Sequence, residues 1–184
     1  SFHKDGNGWD YGLSPKLIKG PDIFVKSIIK LKKKIGKKKF AIVLTAPARG
    51  YVKEKLYQND IEFYHFQNVK QNNLADLYNC LDLYLIASRD EGGPMGLFEA
   101  MACGTPVVTT NVGHAVDHIV NYKNGFRSKI EDYNSLTNHI IRVIKNKNLK
   151  NKIIKNSIIT ARKNNYTNHK KYWKIFIKKF IENK

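Results

Sequence analysis

Residues 81–110, LDLYLIASRDEGGPMGLFEAMACGTPVVTT, place two apolar runs of strand length on either side of a glycine-broken loop and one short helical segment, and few chain geometries accommodate that order. The runs at 83–87 and 106–109 read as buried strands, the second rich in β-branched residues. Glu91-Gly92-Gly93-Pro94 opens the connection and Gly96 follows. Good helix formers then fill 97–103 until Gly104 stops them.

A strand that ends in glycines and feeds a helix leaves several backbone N–H groups unpaired and aimed at one point, where the helix dipole also favours negative charge. An anion of phosphate type fits there, and the glycines let it approach closely. Glu91 and Glu99 flank that point. A carboxylate repels phosphate, so each is read as an acceptor for hydroxyl groups. The implied ligand carries a diphosphate with sugar hydroxyls on both sides, the shape of a nucleotide sugar.

The remaining chain alternates strand and helix signals. Pro21 suits the first turn of a helix whose apolar residues Ile23, Phe24, Ile28, Leu31 and Ile35 recur at helical spacing until Gly36. A buried strand is expected over 40–45, a helix over 51–59, a short strand over 61–66, and a helix over 73–80 with Leu74, Leu77 and Tyr78 on its buried face. Beyond the central stretch come a helix from Val112, a turn at 121–125, an edge strand at 126–128, a helix over 133–144 and lysine-rich helices from Asn148 onward. This pattern predicts an α/β fold, a Rossmann-like doubly wound parallel sheet with ligands at the carboxyl ends of its strands. At 184 residues the chain suffices for one such domain.

The net charge of +18 raises the possibility of a nucleic-acid module or an anionic surface binder. The lysines lie between apolar residues at helical spacing, the pattern of solvated helix faces, so no nucleic-acid partner is expected and weak contact with an anionic membrane is retained. Two unpatterned cysteines, Cys80 and Cys103, indicate neither a metal site nor a disulfide framework and suit a reducing compartment, so a cytoplasmic location is expected, peripheral at the inner membrane face if lipid contact holds.

Glu91, seven intervening residues and Glu99, followed by Ala100-Met101-Ala102-Cys103-Gly104-Thr105-Pro106-Val107-Val108, resemble the signature of retaining glycosyltransferases of the GT-B fold, the family often called group 1 or family four. Lys19-Gly20, residues 74–83, Val112-Gly113 and Asn124-Gly125-Phe126 agree with it in order. The resemblance covers nearly the whole chain, but only the carboxyl-terminal, donor-binding half of such an enzyme. It implies residues 1–184 as one donor-binding domain with its first strand cut short at Ser1-Phe2, and a final helix, 166–184, that reaches the missing amino-terminal domain. The alternative for that helix, with its Tyr172, Trp173, Phe176, Ile177 and Phe180 stripe, is packing on its own sheet.

The same resemblance implies transfer of a glycosyl group, of hexosyl type, from a nucleotide diphosphate donor with retention at the anomeric carbon. Lys19 and the N–H groups around Gly93, Met95, Gly96 and Leu97, with Gly92 beside them, would stabilise the departing diphosphate. Glu91 would hold sugar hydroxyls beside the reacting carbon and Glu99 the ribose hydroxyls, while the loop 67–69, ending in Val69, would lie against the base. Lys4 stands nearest to the place where the family has an arginine. No metal ion and no cofactor is implied, the acceptor is a glycan or lipid-linked sugar, and the isolated half is expected to be inactive. Pro94 departs from the family's usual Gly-Phe-Gly and has no N–H to offer. His114 and Asp117, where the family often has glycine and glutamate, are read as local hydrogen bonders. Three other readings stay open: a nucleotide-sugar epimerase on the same plan, a glycosidase using the carboxylate pair, and a basic nucleic-acid module.

Overall fold

A computed structural model describes residues 13–36 and 39–182; the expectations for the start of the chain, Lys4 among them, lie outside the described residues. Fifteen residues from Pro21 to Ile35 form α1, entered through Gly20 at φ +64° with Pro21 in the first turn. The order continues β1 (Ile42–Thr45), α2 (Gly50–Gln58), β2 (Phe63–Phe66), α3 (Leu74–Asn79), β3 (Tyr84–Ile86), α4 (Met95–Ala102), β4 (Val107–Thr110), α5 (His114–His118), β5 (Phe126–Ser128), α6 (Tyr133–Lys145), α7 (Lys147–Lys163) and α8 (Tyr166–Glu182). A 3-10 turn, Leu17–Lys19, precedes α1.

Every strand pair among the described residues is parallel, a pairing that needs a crossover and finds it in the helices between the strands. The ladder is interrupted, however: β1 pairs with β2, and β3, β4 and β5 form a separate hydrogen-bonded group in that order. The core is what unites them. Side chains alternate across a strand, and along β3 that alternation sorts two apolar clusters. Leu85 and Ala87 point to the side that holds Leu44, Val108 and Phe126 together with Ile23, Ile28 and Leu31 of α1 and Leu136 and Ile140 of α6. Tyr84 and Ile86 point to the other, with Val107 and with Leu97, Ala100 and Met101 of α4. Burial on both faces explains why these strands are apolar without alternation.

Two elements differ from the sequence reading. The helix expected from Leu97 begins at Met95, because Pro94 takes the capping position and its carbonyl accepts the Leu97 N–H at 2.9 Å. The final helix buries none of its residues, with Trp173 62% and Phe180 61% exposed, so packing on its own sheet is not the arrangement observed.

Candidate functional site

The carboxyl ends of β1 and β3, the loop after β2, the amino end of α4 and the turn before α1 converge on one cleft of about 690 Å³. Lys19, Val69, Glu91, Gly93, Met95, Gly96 and Glu99 line it, joined by Thr45, Ala46, Pro47, Gln67, Tyr78 and Tyr84. This is where an open α/β sheet holds its ligands.

Close backbone packing delivers Lys19 to the cleft. Gly20 lies against the end of β3 so tightly that a Cβ there would sit 1.8 Å from the Ala87 carbonyl oxygen. The Arg89 N–H donates to the Ile18 carbonyl at 2.8 Å, and the Arg89 guanidinium makes a two-pronged pair with Asp22 at 2.7 and 2.8 Å. Its Nε pairs with Glu131 as well. The Arg89 hydrogen bond holds the Asp22 carboxyl below the usual carboxylate range. Held this way, Lys19 Nζ reaches Glu91 Oε1 at 2.7 Å, and the buried Ser88 hydroxyl donates to the same oxygen at 3.0 Å. The lysine and the first carboxylate are therefore mutual partners at the cleft floor.

Gly113, at φ +42°, fixes the loop that carries Glu91: a Cβ there would come within 2.4 Å of the Glu91 carbonyl oxygen and 2.5 Å of that of Gly92. One residue further, the His114 ring rests on Gly93, whose Cβ, if present, would meet Nε2 at 2.7 Å. His114 also joins His118 and Phe98 in a ring cluster with centroids 5.1 to 5.8 Å apart, where burial first and His114 second push His118 below the usual histidine range.

The opening of α4 presents N–H groups to the cleft, though fewer than the sequence suggested. Leu97 is fully buried and its N–H is committed to Pro94, and Gly92 does not reach the lining, so these two expected donor contacts fall away. Gly93, Met95 and Gly96 remain at the lining, the last two with N–H groups that the first turn of a helix leaves without a partner within it. Nearly one turn beyond Gly96, Glu99 accepts a hydrogen bond from the Tyr78 hydroxyl through Oε2 at 2.9 Å. The Tyr78 ring meets that of Tyr84 edge-on, with centroids 5.3 Å apart. Burial raises both phenols well above their usual range, so both stay protonated.

Sequence reasoning assigned Tyr78 to a buried helix face and Tyr84 to a buried strand, and overlooked what their hydroxyls do. The signal was available: a tyrosine in a buried apolar position needs a hydrogen-bond partner that phenylalanine would not. It also overlooked Ala46, which holds φ +75° at the end of β1 on the cleft wall and accepts a 2.7 Å contact from His65 Nε2. Non-glycine residues in such strained conformations gather at ligand sites.

The family described as Glycosyl transferases group 1 matches residues 13–159, more than half of the chain. The chain belongs to that family. Among curated proteins it is 34% identical over 80 residues to N-acetyl-alpha-D-glucosaminyl L-malate synthase of Bacillus anthracis, a match covering 44% of this chain and 21% of that protein. It is 32% identical over 73 residues to the capsular polysaccharide biosynthesis glycosyltransferase CapM of Staphylococcus aureus, covering 40% of this chain and 19% of CapM. These matches thus span about a fifth of the relatives' own lengths. In three dimensions the C-terminal domain of the group 1 glycosyl transferase LpcC from Francisella tularensis superposes with a TM-score of 0.68 at 22% identity, over 80% of both chains. Anabaena Alr3699/HepE, solved in complex with UDP-glucose, gives a TM-score of 0.64 at 23% identity, over 78% of this chain and 40% of that one. The Rossmann-like α/β architecture is therefore that of a GT-B glycosyltransferase carboxyl-terminal domain.

Proposed function

We propose that this glycosyltransferase domain binds a nucleotide diphosphate sugar and serves a retaining transfer of a hexosyl group. The diphosphate lies at the amino end of α4, against the N–H groups of Met95 and Gly96 and beside Lys19, which stabilise the charge that builds as the glycosidic bond breaks. Glu91 holds sugar hydroxyls next to the reacting carbon, Glu99 holds the ribose hydroxyls, and the loop through Gln67 and Val69 lies against the base. No metal ion or cofactor enters this scheme. The acceptor, a glycan or lipid-linked sugar, is received by an amino-terminal domain outside this chain, at the cytoplasmic side of a membrane.

One observation carries the reading: a cation, two carboxylates and a helix amino end share a single cleft. That is the demand a diphosphate flanked by two sugars makes. The solved relative holding UDP-glucose adds support, since it shares this fold.

The test is a thermal-shift series with UDP, GDP, ADP and their sugars. At a hundred times its dissociation constant a ligand adds about 2.7 kcal/mol to the folded state, which raises the melting temperature by about 5–10 °C in a chain of this size. Glu99→Ala should remove most of that rise. A melting temperature that no nucleotide moves would refute the proposal.

A further inference from the structure

The Tyr78–Glu99 contact has features that simple packing does not require. Tyr78 is held from three directions by elements that build the cleft. Its carbonyl accepts the buried Thr105 hydroxyl at 2.7 Å, tying α3 to the turn after α4. Its ring is braced edge-on by Tyr84 of β3. Its hydroxyl ends on Glu99 Oε2. Room for both phenols exists only because residue 96 has no side chain: a Cβ there would lie 2.6 Å from the Tyr84 hydroxyl and 3.0 Å from that of Tyr78. Thus the bare backbone of Gly96, which lines the cleft, leaves room for the two hydroxyls behind it.

A glutamate on a helix surface has three side-chain torsions to fix, and freezing a side chain of this type costs up to about 2 kcal/mol. A buried donor on one carboxylate oxygen settles those torsions before any ligand arrives. A carboxylate offers about four acceptor positions. Tyr78 occupies one and leaves the others to the cleft that Glu99 lines. Because the phenol stays protonated, it acts as a donor across the working pH range.

We infer that Tyr78 is a positioning residue for Glu99, presetting the carboxylate to receive the vicinal hydroxyls of a nucleotide ribose. The inference rests on the reading of Glu99 as the ribose acceptor and goes beyond it by naming the side chain that holds that acceptor in place. Tyr78 acts through the carboxylate, with Tyr84 as the brace behind it.

The experiment measures by calorimetry the affinities of the 184-residue chain and its Tyr78→Phe variant for UDP and for 2′,3′-dideoxyuridine diphosphate, which lacks both ribose hydroxyls. Tyr78→Phe removes one oxygen and keeps the ring, and a melting curve verifies folding. The wild-type chain should prefer UDP, and Tyr78→Phe should weaken UDP about tenfold while changing the dideoxy ligand by less than about twofold, the scale of one lost hydrogen bond to a charged group. In a Glu99→Ala background the same change should have no further effect on UDP. Equal weakening of both ligands would mean a merely structural role and overturn the inference, as would an unchanged UDP affinity. If the thermal-shift series selects GDP or ADP instead of UDP, the same comparison is made with that nucleotide and its 2′,3′-dideoxy form; a wild-type chain that binds both forms equally, or binds none of the nucleotides, would bring down the ribose reading and this inference with it.

Discussion

Replacing Gly20 by alanine tests how the fold places its lysine. Gly20 holds φ +64° and ψ +38°, where a Cβ costs about 1–2 kcal/mol against the following carbonyl. The larger difficulty is the 1.8 Å separation from the Ala87 carbonyl oxygen, well under the roughly 3 Å that a Cβ needs, so the turn and the end of β3 must part by about 1.2 Å or more. Overpacking of that kind costs about 1–3 kcal/mol, for a total of about 2–5 kcal/mol, or a fall of about 4–20 °C in melting temperature. Asparagine tolerates this backbone conformation, so Gly20→Asn should recover the strain but not the overlap. Because Lys19 is the adjacent residue and sits 2.7 Å from Glu91, the displacement should also weaken UDP binding in both variants. Thermal melts and calorimetry on the two variants read both effects. A fall below about 2 °C, full recovery by asparagine, or a destabilised variant with wild-type nucleotide affinity would refute the reasoning.

Asp22→Asn should destabilise the chain at neutral pH and leave it unchanged in acid. The folded carboxyl is held below its reference value of 3.8, so its contribution is present above that pH and lost as pH falls through the lower folded value; melts from pH 7 to pH 2 that run parallel would contradict this. Thr105→Val removes one of the hydrogen bonds to the Tyr78 carbonyl, which keeps the Leu81 N–H at 3.0 Å, and should cost about 0.5–1.5 kcal/mol in denaturant melts. Glu91→Ala should remove transfer by an enzyme completed with its amino-terminal half while sparing nucleotide affinity, and wild-type turnover would remove Glu91 from the site. Serine at Trp173 and Phe176 together should shift the melt by less than about 1 kcal/mol, since both rings are exposed, and a larger loss would show that α8 packs on this domain.

Much of the architecture was legible because the local and global signals agree. Apolar strands without alternation announced a sheet covered on both faces, and the Leu85 and Ile86 side chains do divide between two clusters. Pro21 and Gly36 bounded α1 as their backbone preferences require. Glu91 and Glu99 stood out because carboxylates beside a glycine-rich helix start serve no apolar core. The residues that escaped notice act through tertiary contact. Nothing in the local sequence says that Gly20 presses on Ala87, that Gly113 backs Glu91, or that Tyr78 reaches across 21 positions to Glu99. Pro94 misled in a simpler way: it was seen as a lost donor, whereas it also starts the helix two residues early and takes Leu97's N–H.

The alternation along β3 has a consequence for how sequences like this one can drift. Leu85 answers to α1 and α6, while its neighbours Tyr84 and Ile86 answer to α4, so the sheet works as a bulkhead between two compartments. Volume changes on the α1 side fall on α1 and α6 rather than on α4, except at the entry to α1, where Gly20 presses on Ala87 and Lys19 enters the cleft. A substitution that changes the volume of one compartment away from that entry should therefore leave the packing of the other in place.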